Sequence, residues 1–209
     1  MKFNSTHSIA VSWANNLNRR VNKEGIDFQK MVLGLEILLH NIPKLILVVV
    51  VAAGLGILLQ SLITMATFAC LRRYIGGLHA KNGIRCTIMS LVMFVAIPFS
   101  MQAVYIDRIT LSIFFLLSSL VLYGYSPADT ESRPIIGKIK RKRLKIKSIT
   151  ACFFLFLTAL VLQNKAFYVL IVLGVTYGVI AILPITYTIL GRSVNNYEKH
   201  EGSISNESR

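Results

Sequence analysis

His79 and Cys86 lie seven residues apart in the stretch RRYIGGLHAKNGIRC, residues 72–86. A cysteine attacks a carbonyl as its thiolate, and histidine is the usual base that makes one. On one continuous helix seven residues rise about 10.5 Å, too far for a hydrogen bond. The pair meets only if the backbone turns between them. Gly76-Gly77 can loosen the preceding helix and Asn82-Gly83 is a turn dipeptide, so the sequence permits that turn. His79 then sits in a loop at the end of one helix and Cys86 starts the next. There the helix dipole favours the thiolate, and Arg85 adds positive potential. A third group must orient the histidine; Asn82, Gln60 and Asp129 are candidates, and spacing does not choose among them. An oxyanion donor is also required, for which the Cys86 backbone N–H and Arg72 are candidates.

On spacing alone such a pair is more often coincidence than catalysis. The plain alternative is a solvated loop histidine and a small apolar cysteine in a span, as Cys70 and Cys152 are read. Three cysteines without paired spacing imply neither a disulfide framework nor a zinc site. No second histidine or carboxylate stands close enough to suggest any other metal.

The elements that position these residues are membrane helices. Of 209 residues 54% are hydrophobic and only 15% charged, against about 25% charged in soluble domains. That excludes a lone water-soluble domain and also disorder. The expected fold is all-α and polytopic, with about six membrane helices. Five are clear spans, at 45–69, 87–106, 109–125, 149–163 and 166–190. The sixth, 28–42, is weak or interfacial: Phe28, Met31, Val32, Leu35, Leu38, Leu39 and Ile42 form one stripe, and Asn41-Ile42-Pro43 suits a hairpin. Residues 1–27 read as a separate basic interfacial helix, and 28–209 as one transmembrane domain ending in a polar tail, 191–209. No cleaved signal peptide is expected.

The 23 lysines and arginines against 9 acids give +14. They sit between apolar runs and form no groove-sized stripe, which argues against nucleic acid and for anionic lipid. Loops 71–86 and 126–148 are strongly basic, whereas the turns at 107–108 and 163–165 carry one basic residue each. The positive-inside rule puts both long loops, the active site and both termini in the cytoplasm of a multi-pass cell-membrane protein. The clear spans hold almost no ionisable residue, which disfavours a coupled transporter.

Arg72, Gly76-Gly77, His79-Ala80 and Cys86 resemble the signature of the accessory gene regulator B (AgrB) family. Pro127-Ala128-Asp129-Thr130 and Arg133-Pro134-Ile135, followed by a basic run, resemble that family's second cytoplasmic loop. The resemblance implies a membrane cysteine endopeptidase of peptide quorum sensing. In it Cys86 is the nucleophile, His79 the general base, and Arg72 and Gly77 are needed for activity. It also implies a precursor peptide as partner, with an amphipathic leader, a signal core and an acidic tail. The basic run Lys138, Lys140, Arg141, Lys142, Arg143, Lys145 and Lys147 would attract that tail, or anchor the loop on lipid. A homodimer is implied as well, and Gly54-x-Gly56 and Gly174-x3-Gly178 suggest helix contacts. No cofactor or metal is implied. The rival reading is a non-enzymatic membrane scaffold or a peptide exporter.

Overall fold

The computed structural model describes residues 3–77, 83–129, 135, 137–162, 165–189 and 191. Helix α1 (Phe3–Val21) turns back on α2 (Gly25–Gly54), and α3 (Leu58–Ile75) follows. After His79 and its neighbours, which lie outside the described residues, α4 (Gly83–Leu91) runs through a π-helical turn, Val92–Ala96, into α5 (Ile97–Ser100). The remaining helices are α6 (Arg108–Tyr125), α7 (Lys138–Leu162), α8 (Lys165–Ile180) and the short α9 (Pro184–Ile189). No strand occurs among the described residues, only an isolated bridge between Gly76 and Ala128.

Among the described residues four units are long and apolar enough to cross a membrane: Gly25–Gly54, Gly83–Ser100, Arg108–Tyr125 and Lys138–Leu162; Ala166–Ile180 is apolar but shorter. The chain is an all-α, multi-pass membrane protein. Its core joins α3, α6, α7 and α8 through Leu71, Ile75, Leu111, Phe115, Leu122, Cys152 and Val175. Gly174 and Gly178 let α3 and α8 approach closely. A methyl at Gly174 would lie 2.6 Å from Thr67 Cβ, and one at Gly178 would lie 2.9 Å from Leu71. These small residues therefore serve a contact within the chain.

Three expectations are corrected. No hairpin forms at Asn41-Ile42-Pro43: α2 is continuous through Pro43. The apolar periodicity on both sides of the proline sustains the helix, and membrane helices tolerate a proline better than soluble ones do. The turn lies instead in the middle of the expected span 45–69. There Gly56 takes φ +70°, and the N–H groups of Leu55, Gly56 and Ile57 return to the carbonyls of Val51, Ala53 and Ala52. A glycine in the left-handed region is a helix stop that hydropathy does not register. Residues 28–42 are accordingly the first half of α2, packed on α1 through Ala10, Ala14 and Val32. Finally, the basic run expected as loop is helical, because α7 begins at Lys138.

Two local features follow from side-chain chemistry. The π-helical turn precedes Pro98, whose missing N–H would otherwise leave a carbonyl of the preceding turn unpaired. Asp107 caps α6 by accepting from Ile109 N at 3.0 Å and Thr110 N at 3.2 Å. Hydrogen bonds from Thr110 hold the Asp107 carboxyl below its ordinary pKa.

Candidate functional site

The last turn of α3 carries Arg72 and Arg73, cations suited to a helix C-terminus. The helix then stops at Gly76, with φ +69°, followed by Gly77 at φ +96°. Both angles fall where side chains are strained. Space forbids a side chain there too. A methyl on Gly76 would overlap the Ala128 carbonyl oxygen. One on Gly77 would come within 2.7 Å of Arg72 Nη1 and 2.9 Å of the Ala181 oxygen.

The Gly76 clash arises because the second basic loop is docked on the turn, and the Gly77 clash because Arg72 and the Ala181 backbone close over it. Ala128 N–H donates to the Ile75 carbonyl at 2.8 Å, and Gly77 N–H donates to the Ala128 carbonyl at 2.8 Å. The half-buried Arg72 closes the turn from inside, its Nη2 donating to the Gly77 carbonyl at 2.9 Å. Its guanidinium carbon lies 6.0 Å from the Phe68 ring centroid. Next in the loop, Asp129 is 5% exposed. The Tyr187 hydroxyl of α9 donates to the Asp129 backbone oxygen at 3.0 Å. The loop's root is held as well, where buried Ser126 donates to Ser148 Oγ at 2.9 Å.

Cys86 is the fourth residue of α4, half-buried, and its carbonyl accepts from Ser90 Oγ at 2.9 Å. A cysteine in this first turn lies where the helix dipole favours an anion. Among the described residues the structure thus brings Arg72, Gly77 and Asp129 together at the root of the segment leading to Cys86. His79 and Asn82 lie outside the described residues, as do Thr130–Pro134. Gln60 belongs to the opposite end of α3; twelve residues of helix separate it from Arg72, about 18 Å of rise. Cys152 is buried, with Ser119 Oγ 3.8 Å from its sulfur, and Cys70 is exposed.

Beside the docked loop lies a cavity of about 590 Å³. Pro127, Asp129 and Tyr187 contribute to one wall, and Lys138, Arg141, Lys142 and Lys145 to the other. Those four recur at helical spacing, so α7 presents them on one face. Lys140, Arg143 and Lys147 do not line it. Lys145 Nζ lies 5.0 Å from the Tyr123 ring centroid. Tyr187 and the Ala181–Ile182 turn belong to the site without any mark in the sequence. Their residue types are those of a membrane span, and only Pro184 signals a break there.

The family model for accessory gene regulator B matches residues 10–182. An AgrB-like protein of Clostridium acetobutylicum is 36% identical over 188 residues, 90% of each chain. An AgrB-like protein of Listeria monocytogenes is 42% identical over 174 residues, 83% of this chain and 85% of the relative. Accessory gene regulator protein B of Staphylococcus intermedius is 37% identical over 169 residues, 81% of this chain and 89% of the relative. No solved structure matches.

Proposed function

The chain belongs to the accessory gene regulator B family, with a role in that quorum-sensing system, and from that premise we propose that it is a membrane cysteine endopeptidase. Its substrate is a precursor peptide with an acidic tail, processed at the cytoplasmic membrane edge. The observation that carries the reading is the double hydrogen bond between Ala128 and the Ile75–Gly77 turn. It ties the second loop to the backbone two residues ahead of His79, with Cys86 in the first turn of the helix that follows. Asp129 is favoured over Gln60 as the group that orients His79, because it neighbours that root and Gln60 does not.

The chemistry is acyl transfer. His79 takes the Cys86 proton, and the thiolate attacks the peptide carbonyl between signal core and tail. The C–N bond breaks, His79 returns the proton to the leaving amine, and a thioester to Cys86 remains. A cysteine or serine within the peptide attacks that thioester, closing a thiolactone or lactone ring and restoring the Cys86 thiol. The thioester preserves enough of the cleaved bond's reactivity that no ATP is needed. Water must be kept from it, a role suited to a site at the membrane edge. The cavity lined by Lys138, Arg141, Lys142 and Lys145 offers carboxylates of the tail a cationic wall.

Reconstituted protein mixed with a synthetic precursor peptide, with amphipathic leader, signal core and acidic tail, tests this by intact mass. Wild type is expected to release the tail and to form an acyl adduct on Cys86, and both Cys86→Ala and His79→Ala are expected to do neither. Cleavage by Cys86→Ala would overturn the mechanism. A wild type that binds precursor without cleaving it would favour a scaffold or exporter.

A further inference from the structure

Tyr187 is among the most deeply buried large side chains of the chain, 1% exposed. It stands on α9, six residues long, far too short to hold itself together without tertiary contacts. Its hydroxyl donates to the Asp129 backbone oxygen across 58 positions of sequence. Successive carbonyls of the second loop are therefore held from two sides, Ala128 by the Gly77 N–H and Asp129 by Tyr187. Tyr187 and Arg72 are within electrostatic range of each other, and Arg72 grips the Gly77 carbonyl. Three separate segments thus close on one point: the end of α3 with its Gly76-Gly77 turn, the second loop and α9.

We propose that Tyr187 is a positioning residue for the Cys86 chemistry, its hydroxyl pinning the second loop on the Gly76-Gly77 turn so that Asp129 stays beside the root of the His79 segment. The bond uses a backbone oxygen, so it fixes the path of the loop whatever side chain stands at 129. Phenylalanine would fill the same volume and remove only the donor, leaving a buried carbonyl without this partner. The loop then shifts or samples other positions, and the alignment of the base with its orienting group is lost while the substrate-binding wall on α7 is untouched. A misplacement of about 1 Å at such a point is enough to lower a rate about a hundredfold. This inference rests on the peptidase reading.

The test uses the full chain in liposomes, as wild type, Tyr187→Phe, Asp129→Ala and the double variant, with the same precursor. Tyr187→Phe is expected to lower kcat about ten- to a hundredfold with KM within about twofold. The double variant is expected to be no slower than Asp129→Ala alone, because a residue acting through position 129 has nothing left to position. Wild-type kcat in Tyr187→Phe, or losses that multiply in the double variant, would overturn the proposal. A second measurement needs no substrate: iodoacetamide alkylation of Cys86 relative to exposed Cys70, read by peptide mass. Tyr187→Phe is expected to lower that ratio severalfold; an unchanged ratio, or a rise in both rates as a loosened fold would give, would overturn it. A wild type that never cleaves tells against the peptidase reading, and the alkylation ratio then still decides whether Tyr187 positions the Cys86 environment.

Discussion

Gly77 and Cys86 are nine positions apart in the sequence, yet their surroundings have little in common. Around Gly77 the backbone is locked: two hydrogen bonds to Ala128, one from Arg72, and no room for a methyl group. Around Cys86, α4 buries none of its residues, and Ile84, Ile88 and Met89 are mostly exposed. In a membrane protein such apolar exposure faces lipid. On the proposed reading, the nucleophile therefore rides on a lightly packed helix while the turn that leads to its base is clamped in protein. A rigid turn holds the orienting groups at fixed distance. A lightly held helix can adjust as a peptide enters and an acyl group forms. Precision in this site is concentrated on one side.

Two substitutions press on the clamped side, and a third variant presses on the cationic wall next to it. Gly76→Ala puts a methyl into the Ala128 carbonyl and onto a left-handed backbone. It is expected to abolish cleavage, a loss of at least a hundredfold, and to destabilise by about 1–3 kcal/mol; a thermal midpoint and rate equal to wild type would show that the loop is not docked as described. Arg72→Lys keeps the charge but not the planar fork that reaches the Gly77 carbonyl. A fall of about tenfold in kcat is expected, since one hydrogen bond to a charged group is worth about 1.5–3 kcal/mol, and steady-state cleavage assays measure it. The third, Lys142→Gln with Lys145→Gln, touches the cationic wall and not the turn. KM for an acidic-tailed precursor is expected to rise about three- to tenfold with kcat unchanged, and the difference from wild type to shrink as salt is added. A change in kcat without KM would move that wall into the catalytic machinery.

Much of this contrast is legible in the amino-acid sequence, and the part that is not has physical reasons. Hydropathy locates α6 and the apolar parts of α4, α7 and α8, because burial in lipid is a property of runs. The stop at Gly56 escapes it, since a left-handed glycine changes direction without changing hydropathy. The helical start of α7 escapes it too, because lysine and arginine are good helix formers that also mark loops in membrane proteins. Cys86, Arg72 and Gly77 stand out through their types and order. Tyr187 does not: a tyrosine near the end of an apolar run looks like a membrane-interface anchor. Its hydrogen bond to a residue 58 positions away exists only once the chain is folded.

The smallest expected effect tests the lightly held side. Gly83 opens α4, three positions before Cys86, and a methyl added there meets nothing within 4 Å. Its backbone lies outside the left-handed region, since it takes no positive φ. Alanine at this position narrows the unfolded ensemble and favours the helix, which is worth about 0.4–1 kcal/mol. If α4 works by carrying Cys86 on a helix with room to move, Gly83→Ala should raise the thermal midpoint slightly and leave kcat within about twofold. A glycine only six positions earlier would then tolerate no methyl at all, and the asymmetry between the two would be functional as well as structural. A large loss of kcat in Gly83→Ala at unchanged stability would mean the opposite. The freedom of the helix start, and not just the clamp beside it, would then set the geometry of the thiol.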